Sequence, residues 1–337
     1  MSLRNGSTWQ KSLSSIIPYL LLLGILAISL LSLASHISWT LYLELFSHFK
    51  LQYLGISLIL FTSLAITRKK SLILIALFLV VINLAEVVSW HLPPGNLGGI
   101  SASNLRVLSS NINIQNNSYS KVLSFVKKEN PDIAVFMEVN DAWVKQLSSL
   151  ADILPYSFTK PNPYNSGIAV YSRMPLENAA INLFGTSGSP SIVSSLKING
   201  KIVSFIAAHP PPPFKPDSFY SRNKQLDEIR KYVQELKTPV IIAGDLNVTM
   251  WSPYYKRFVS KTGLHNARKG FGVLPSWPTK ATYSHYSKFP TFVYQLLSIP
   301  IDHCLISREI KVSKIRTGRN VDSDHLPLVT DLVIPKK

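Results

Sequence analysis

Eight polar residues stand where apolar, strand-like runs begin or end. Asn111 follows LRVLSS, Glu138 follows DIAVFM, and His209 follows KIVSFIAA. Asp245 and Asn247 close PVIIAGDLN, Asp302 opens DHCLI, and Asp324 with His325 precedes LPLVT. Each has an ordinary explanation, because Asn and Asp at strand ends make turns. Together they define a chemistry, because strand ends on one edge of an α/β fold converge in space. Hydrolysis of a phosphoester needs carboxylate and amide oxygens for a hard cation, which suits Glu138 and Asn111. It needs a base to activate water, which suits Asp245, and donors to the phosphate oxygens, which suit Asn247, His209 and His325. An Asp-held imidazole supplies such a donor with its tautomer or charge fixed. Rival chemistries lack their residues: there is no HExxH, no cysteine pair, no GxSxG and no P-loop.

The elements that carry these residues alternate. Strands are predicted at 105–112, 132–139, 167–173, 192–198, 201–209, 239–247, 301–307, 310–316 and 326–334, and helices at 118–130, 141–151 and 218–237. Asn199-Gly200 joins two strands as a hairpin, so part of the pairing is antiparallel. About nine strands in mixed order exceed one parallel sheet, and two packed sheets covered by helices accommodate them. The single cysteine, Cys304, sits in an apolar run as a small core residue.

Ahead of this region the composition changes. Residues 15–34, 51–67 and 71–90 are apolar and about long enough to cross a bilayer. The third carries Asn83 and Glu86; Glu86 lies near its end, where a carboxylate reaches the interface. Residues 37–46 are too short to span and read as a surface segment. Arg4, Lys11 and the turn Arg68-Lys69-Lys70 place the N-terminus and that turn in the cytoplasm, and three spans then deliver the rest to the other side. Trp39 and Trp90 fall at the outer interface on this reading. The expected organisation is a membrane anchor at 1–92, a linker at 93–103 and a catalytic domain at 104–337. Residues 101–337 carry 29 Lys and Arg against 16 Asp and Glu, a net +13 that favours anionic partners, nucleic acid or membrane phosphates.

The ordered series SSNI (109–112), FMEV (136–139), AAHP (207–210), GDLN (244–247), SWP (276–278), IDH (301–303) and SDH (323–325) resembles the endonuclease/exonuclease/phosphatase superfamily over residues 104–335. The resemblance implies a four-layer α/β sandwich, two mixed sheets flanked by helices, and hydrolysis dependent on Mg²⁺, with Mn²⁺ as a substitute. It implies that Glu138 is the principal metal ligand with Asn111 beside it, and that Asp324 supports the metal side. Asp245 would activate water, and Asn247 would orient water and phosphate. His325 would contact the phosphate with its ring fixed by Asp302, and His209 would donate to the phosphate or the leaving oxygen. Two departures stand out: Met137 replaces a common Gln, and His209 runs into the stiff stretch Pro210–Pro213, read as an active-site rim rather than a recognition peptide.

The chain is also similar to a membrane-anchored bacterial branch of that superfamily with three N-terminal spans, some members of which act on polyprenyl pyrophosphates. A phosphatase for lipid-linked phosphate, working at the outer face of the plasma membrane with the bilayer as partner, is the first expectation. An extracytoplasmic nuclease is the second, and a silent binding module that kept the fold is the third. Residues 289–300, FPTFVYQLLSIP, read either as an element buried on the sandwich or as a segment dipping into the leaflet.

Overall fold

The computed structural model describes residues 5–37, 40–92, 104–285 and 287–336, without the side chains of 5–14. Arg4, Trp39 and the linker at 93–103 lie outside the described residues, as does the side chain of Lys11. The chain divides into two compact units, Met1–Trp90 and His91–Lys337.

The first unit is helical: α1 (Asn5–Ala34), α2 (Leu41–Leu45), α3 (Lys50–Ile66) and α4 (Lys70–Val88). Three segments, Ser15–Ile37, Leu41–Ile66 and Lys70–Val88, are long and apolar enough to cross a membrane. Ile25, Leu64, Ala76 and Val80 pack together inside the bundle, while Leu20, Leu23, Ile59 and Phe78 face outward. An apolar exterior is what a lipid-facing bundle requires. Several of its polar residues turn inward, and Asn83 donates to the hydroxyls of Ser29 and Ser57. Glu86, near the C-terminal end of the last of these helices, meets His36 at 2.9 Å. One reading changes here. Residues 41–45, expected on a surface, lead into the second long segment, with Glu44 buried against His48.

The second unit holds twelve strands among its described residues: β1 (Leu105–Asn111), β2 (Ile133–Met137), β3 (Tyr156–Lys160), β4 (Ile168–Ser172), β5 (Glu177–Asn182), β6 (Ser191–Ile198), β7 (Lys201–Ala207), β8 (Val240–Asp245), β9 (His265–Asn266), β10 (Asp302–Ile306), β11 (Lys311–Thr317) and β12 (Leu328–Val333). They form two six-stranded sheets, ordered β11-β12-β1-β2-β4-β3 and β5-β6-β7-β8-β10-β9. Only β1 with β2 and β7 with β8 are parallel; the other named pairs are antiparallel, so both sheets are mixed. Period-two alternation sorts the side chains. Val107, Ile133, Val135, Phe205, Ile241 and Ala243 fill the space between the sheets. Leu108, Ala134 and Phe136 point the other way, toward α5 (Tyr119–Glu129) and α6 (Asp141–Leu147), meeting Val122, Phe125 and Trp143. A strand buried on both faces must be apolar at every position, as IAVFM is. Beside the second sheet, α7 (Pro216–Glu235) buries Phe219, Leu226 and Ile229 and reaches Ser191 of β6 through Gln225.

This is the expected α/β sandwich, with more strands than the sequence showed. β3, β5, β9 and α8 (Pro253–Thr262) were not anticipated; the segment 289–300 carries a helix, α9 (Thr291–Leu297). The core reading of 289–300 fails for most of that segment. Tyr294 is buried, but Phe292 is 58% and Leu296 65% exposed.

The topology gathers the polar strand ends. The parallel pairs run β1 beside β2 and β7 beside β8, so Asn111, Glu138, His209 and Asp245 emerge at C-terminal ends. The antiparallel partners bring their starts to the same places: Asp302 opposes Asp245 in the β8–β10 ladder, and Leu328 opposes Ser109.

Candidate active site

Tight backbone turns aim the site's side chains. Glu138 and Asn247 sit in the left-handed region, with φ of 61° and 51°, an uncommon and costly conformation for a glutamate. Gly244 is required: a Cβ there would lie 2.0 Å from the Ala208 carbonyl oxygen. Its absence lets the chain leading into His209 pass against β8.

Seven of the eight predicted residues converge, and Asp324 lies beside them. Asn111 Nδ2 donates to Glu138 Oε1 at 3.0 Å and to Asp245 Oδ2 at 3.3 Å. The same Asp245 oxygen lies 3.6 Å from Nε2 of His209 and 3.6 Å from Nε2 of His325. Its other oxygen accepts from the Asn247 amide at 2.8 Å. Asn247 Nδ2 donates to the Pro210 carbonyl at 2.9 Å, so the proline stretch forms a half-buried rim that positions a site residue. His325 Nδ1 donates to Asp302 Oδ2 at 2.9 Å, which leaves Nε2 to face the site.

Burial and neighbouring charge set the protonation states. Burial, with the like charge of Asp302, raises Asp245 above the usual carboxylate range against the opposing pull of His325. Burial alone would discharge His325, but the carboxylates of Asp302 and Asp245 outweigh it and hold the ring as an imidazolium. Asp302 is correspondingly lowered despite its own burial. Burial and the neighbouring His325 push His209 down to about 4, so it is neutral at pH 7. Because Asp302 touches the site through the ring it holds, His325→Ala and Asp302→Ala should be non-additive in kcat. A double variant losing the full product of the two single losses would show that the pair does not act as a unit.

Asp324 lies in a separate cradle next to this group. Its carboxylate accepts from Asn113 Nδ2 at 2.9 Å, Trp277 Nε1 at 3.1 Å and Tyr283 Oη at 3.1 Å. Within the loop 320–325 the acidic residues divide their work. Asp322 accepts from Ser118, Thr282 N and Thr282 Oγ1 and holds the turn. Ser323 donates to the Asn111 carbonyl at 2.7 Å and fastens the loop to β1.

Several positioning residues were missed. Asn113 and Tyr283 hold Asp324, Arg222 donates to the Asn247 carbonyl at 2.9 Å, and buried Arg268 donates to the Asp302 carbonyl at 2.6 Å. Trp277 belonged to a quoted motif, SWP, with no role assigned to it. Arg222 carried no sequence signal, being one basic residue in a helix of mixed charge, although it lies on the buried face with Phe219 and Leu226.

The donor set fits a divalent cation. Glu138 is half-buried and raised above its usual range, first by desolvation and then, against its Asn111 hydrogen bond, by the charge of Asp324. Two neighbouring carboxylates in such a place call for a positive charge. Asn111 turns its Nδ2 toward both carboxylates, so its amide must rotate to offer oxygen. Asp245, Asp302 and His325 also place ligand atoms within 4.8 Å of one another. With His325 charged and bonded to Asp302, this second group is better suited to binding phosphate than metal.

A two-sheet α/β sandwich with carboxylates and histidines at one edge has the architecture of a phosphoesterase. Residues 108–325 match the Endonuclease/Exonuclease/phosphatase family, and the chain belongs to that family. Solved structures share the fold. Danio rerio TDP2 complexed with a single-strand DNA product is 16% identical with a TM-score of 0.54, over 68% of this chain and 98% of that one. TDP2 from Caenorhabditis elegans, truncated, is 20% identical with a TM-score of 0.53, over 68% and 97%. An endonuclease/exonuclease/phosphatase from Beutenbergia cavernae is 18% identical with a TM-score of 0.54, over 69% and 72%. No protein of curated function matches the chain in sequence.

Proposed function

We propose that the chain is a membrane-anchored, divalent-metal-dependent phosphohydrolase. It acts outside the cytoplasm on a lipid-linked phosphate or pyrophosphate. The observation that carries the chemistry is the convergence on Asp245 Oδ2 of Asn111, His209 and His325, with Glu138 alongside. Glu138, supported by Asp324 and Asn111, would hold Mg²⁺ or Mn²⁺, which when bound neutralises charge developing on the phosphate oxygens. Asp245 takes the proton of the attacking water, its elevated affinity for protons suiting a base that works near neutrality. Asn247 orients water and phosphate from its seat on Pro210. His325 donates from Nε2 to a phosphate oxygen, fixed by Asp302, and neutral His209 donates to the phosphate or the leaving oxygen.

Three long apolar helices in the same chain support a substrate that resides in the bilayer. Purified full-length protein with Mg²⁺ should hydrolyse a polyprenyl pyrophosphate faster than plasmid DNA. The nuclease reading draws on the DNA-product complex of the fish structure and on the basic charge of residues 101–337. It prevails if plasmid is the only substrate turned over. For localisation, a reporter active only after export should work when fused after Leu97 and stay silent at Lys70. The reverse pattern would refute the orientation.

A further inference from the structure

The residues after the SWP motif carry an apolar helix that the chemistry does not use. α9 exposes Phe292 (58%), Leu296 (65%) and Leu297 (50%), and Phe289 just before it is 50% exposed. Positions 292 and 296 are one helical turn apart and lie on one face. Its buried residue, Tyr294, points the other way, into a cavity of about 350 Å³. That cavity is also lined by Pro275, Pro278 and Leu326. Those three belong to the segments that carry Trp277 and His325, so α9 stands at the edge of the active site.

We propose that the outer face of α9 docks on the leaflet of the bilayer that anchors the chain, seating the active site at the level of lipid phosphates. Three observations select lipid as the occupant. The chain carries its own membrane segments, and residues 93–103, even fully extended, reach at most roughly 40 Å, so the domain stays near the surface. Between Asp245 and Asp302 the sequence has seven Lys and Arg and no Asp or Glu. Lys280 and Lys288, exposed on either side of the loop leading to α9, suit anionic headgroups. Aromatic and aliphatic side chains bordered by lysines are the composition of an interfacial helix. The inference rests on the anchoring part of the function proposed above and not on the substrate.

The test uses full-length protein in phosphatidylethanolamine–phosphatidylglycerol vesicles. Cys304 is the single cysteine; it is buried, and burial pushes its thiol up to about 12. A cysteine introduced as Phe292→Cys or Leu296→Cys can therefore be labelled selectively with an environment-sensitive fluorophore. Ile202→Cys, exposed at the start of β7 and remote from the His209 end, is the control. Nitroxide-bearing lipids should quench the labels at 292 and 296 several-fold more strongly than the label at 202. Equal quenching at all three positions overturns the proposal. So does a blue-shifted emission at 292 and 296 that nitroxide lipids leave untouched and dilution in detergent abolishes, which would mean that a second copy covers the helix. Flotation with vesicles reports on the anchor separately. Retained hydrolysis of a small soluble phosphoester shows that each labelled protein is folded.

Discussion

Glu138→Gln should leave the protein folded and lower turnover by about 10³-fold, since a bound cation supplies several kcal/mol of transition-state stabilisation. The amide keeps the size of the side chain, and its one carbonyl oxygen can still accept from either Asn111 Nδ2 or the Ile114 N–H. The sign of the stability change is a second signature. Burial raises the pKa of Glu138 in the folded protein, so the native state holds this proton more tightly than the unfolded chain. Stability from this group is therefore lost as pH rises past the unfolded value of roughly 4.3. At pH 7 and without metal, Glu138→Gln should melt at the same temperature as the natural protein or slightly higher. Mg²⁺ should raise the melting temperature of the natural protein and leave the variant unchanged. Full activity in a chelator, or a metal-induced shift that survives in the variant, would place the cation elsewhere.

Asp245→Asn should reduce kcat by about 10²–10⁴-fold, the range of a positioned general base, with little change in KM. The amide still accepts from the Asn247 N–H but cannot take a proton. Because protonation disables the base, activity of the natural protein should rise with pH through the titration of Asp245. Burial sets that titration above the usual carboxylate range. The small residual activity of the variant should lack that limb. An unchanged limb, or a variant that fails through KM alone, would assign the base to another group.

What could be read beforehand follows from how the sandwich hides its residues. The strands seen in the sequence are mostly central ones, buried on both faces, and a run such as IAVFM announces itself. The missed strands β3, β5 and β9 all lie at sheet edges. An edge strand pairs on one side and faces water, so YSFTK and ENAAIN show little apolar pattern. The segment that carries α9 could be read as strand or helix, because its short apolar run has no clear period. The eight candidate residues were legible because each punctuates an apolar strand. Asn113, Tyr283, Arg222 and Arg268 were not, because they lie in turns or behind the site and act through contacts that span large gaps in the chain. Asn113 meets a residue 211 positions away. Of the doublet Asp324-His325, His325 faces Asp245 and Asp324 lies in the neighbouring cradle, while Asp322, two residues before Asp324, serves the turn.

The first sheet is closed by β12, which lies between β1 and β11 although every other strand precedes it in the chain. Its approach loop carries Asp324 and His325 and is pinned to β1 by Ser323, 212 residues from its partner Asn111. A ribosome therefore completes eleven strands, with Glu138 and Asp245 already made, before the loop that finishes the candidate site exists. Until then β1 lacks a neighbour along one side, and the His325 ring that faces Asp245 is missing. The last strand to be synthesised thus completes both the first sheet and the candidate site.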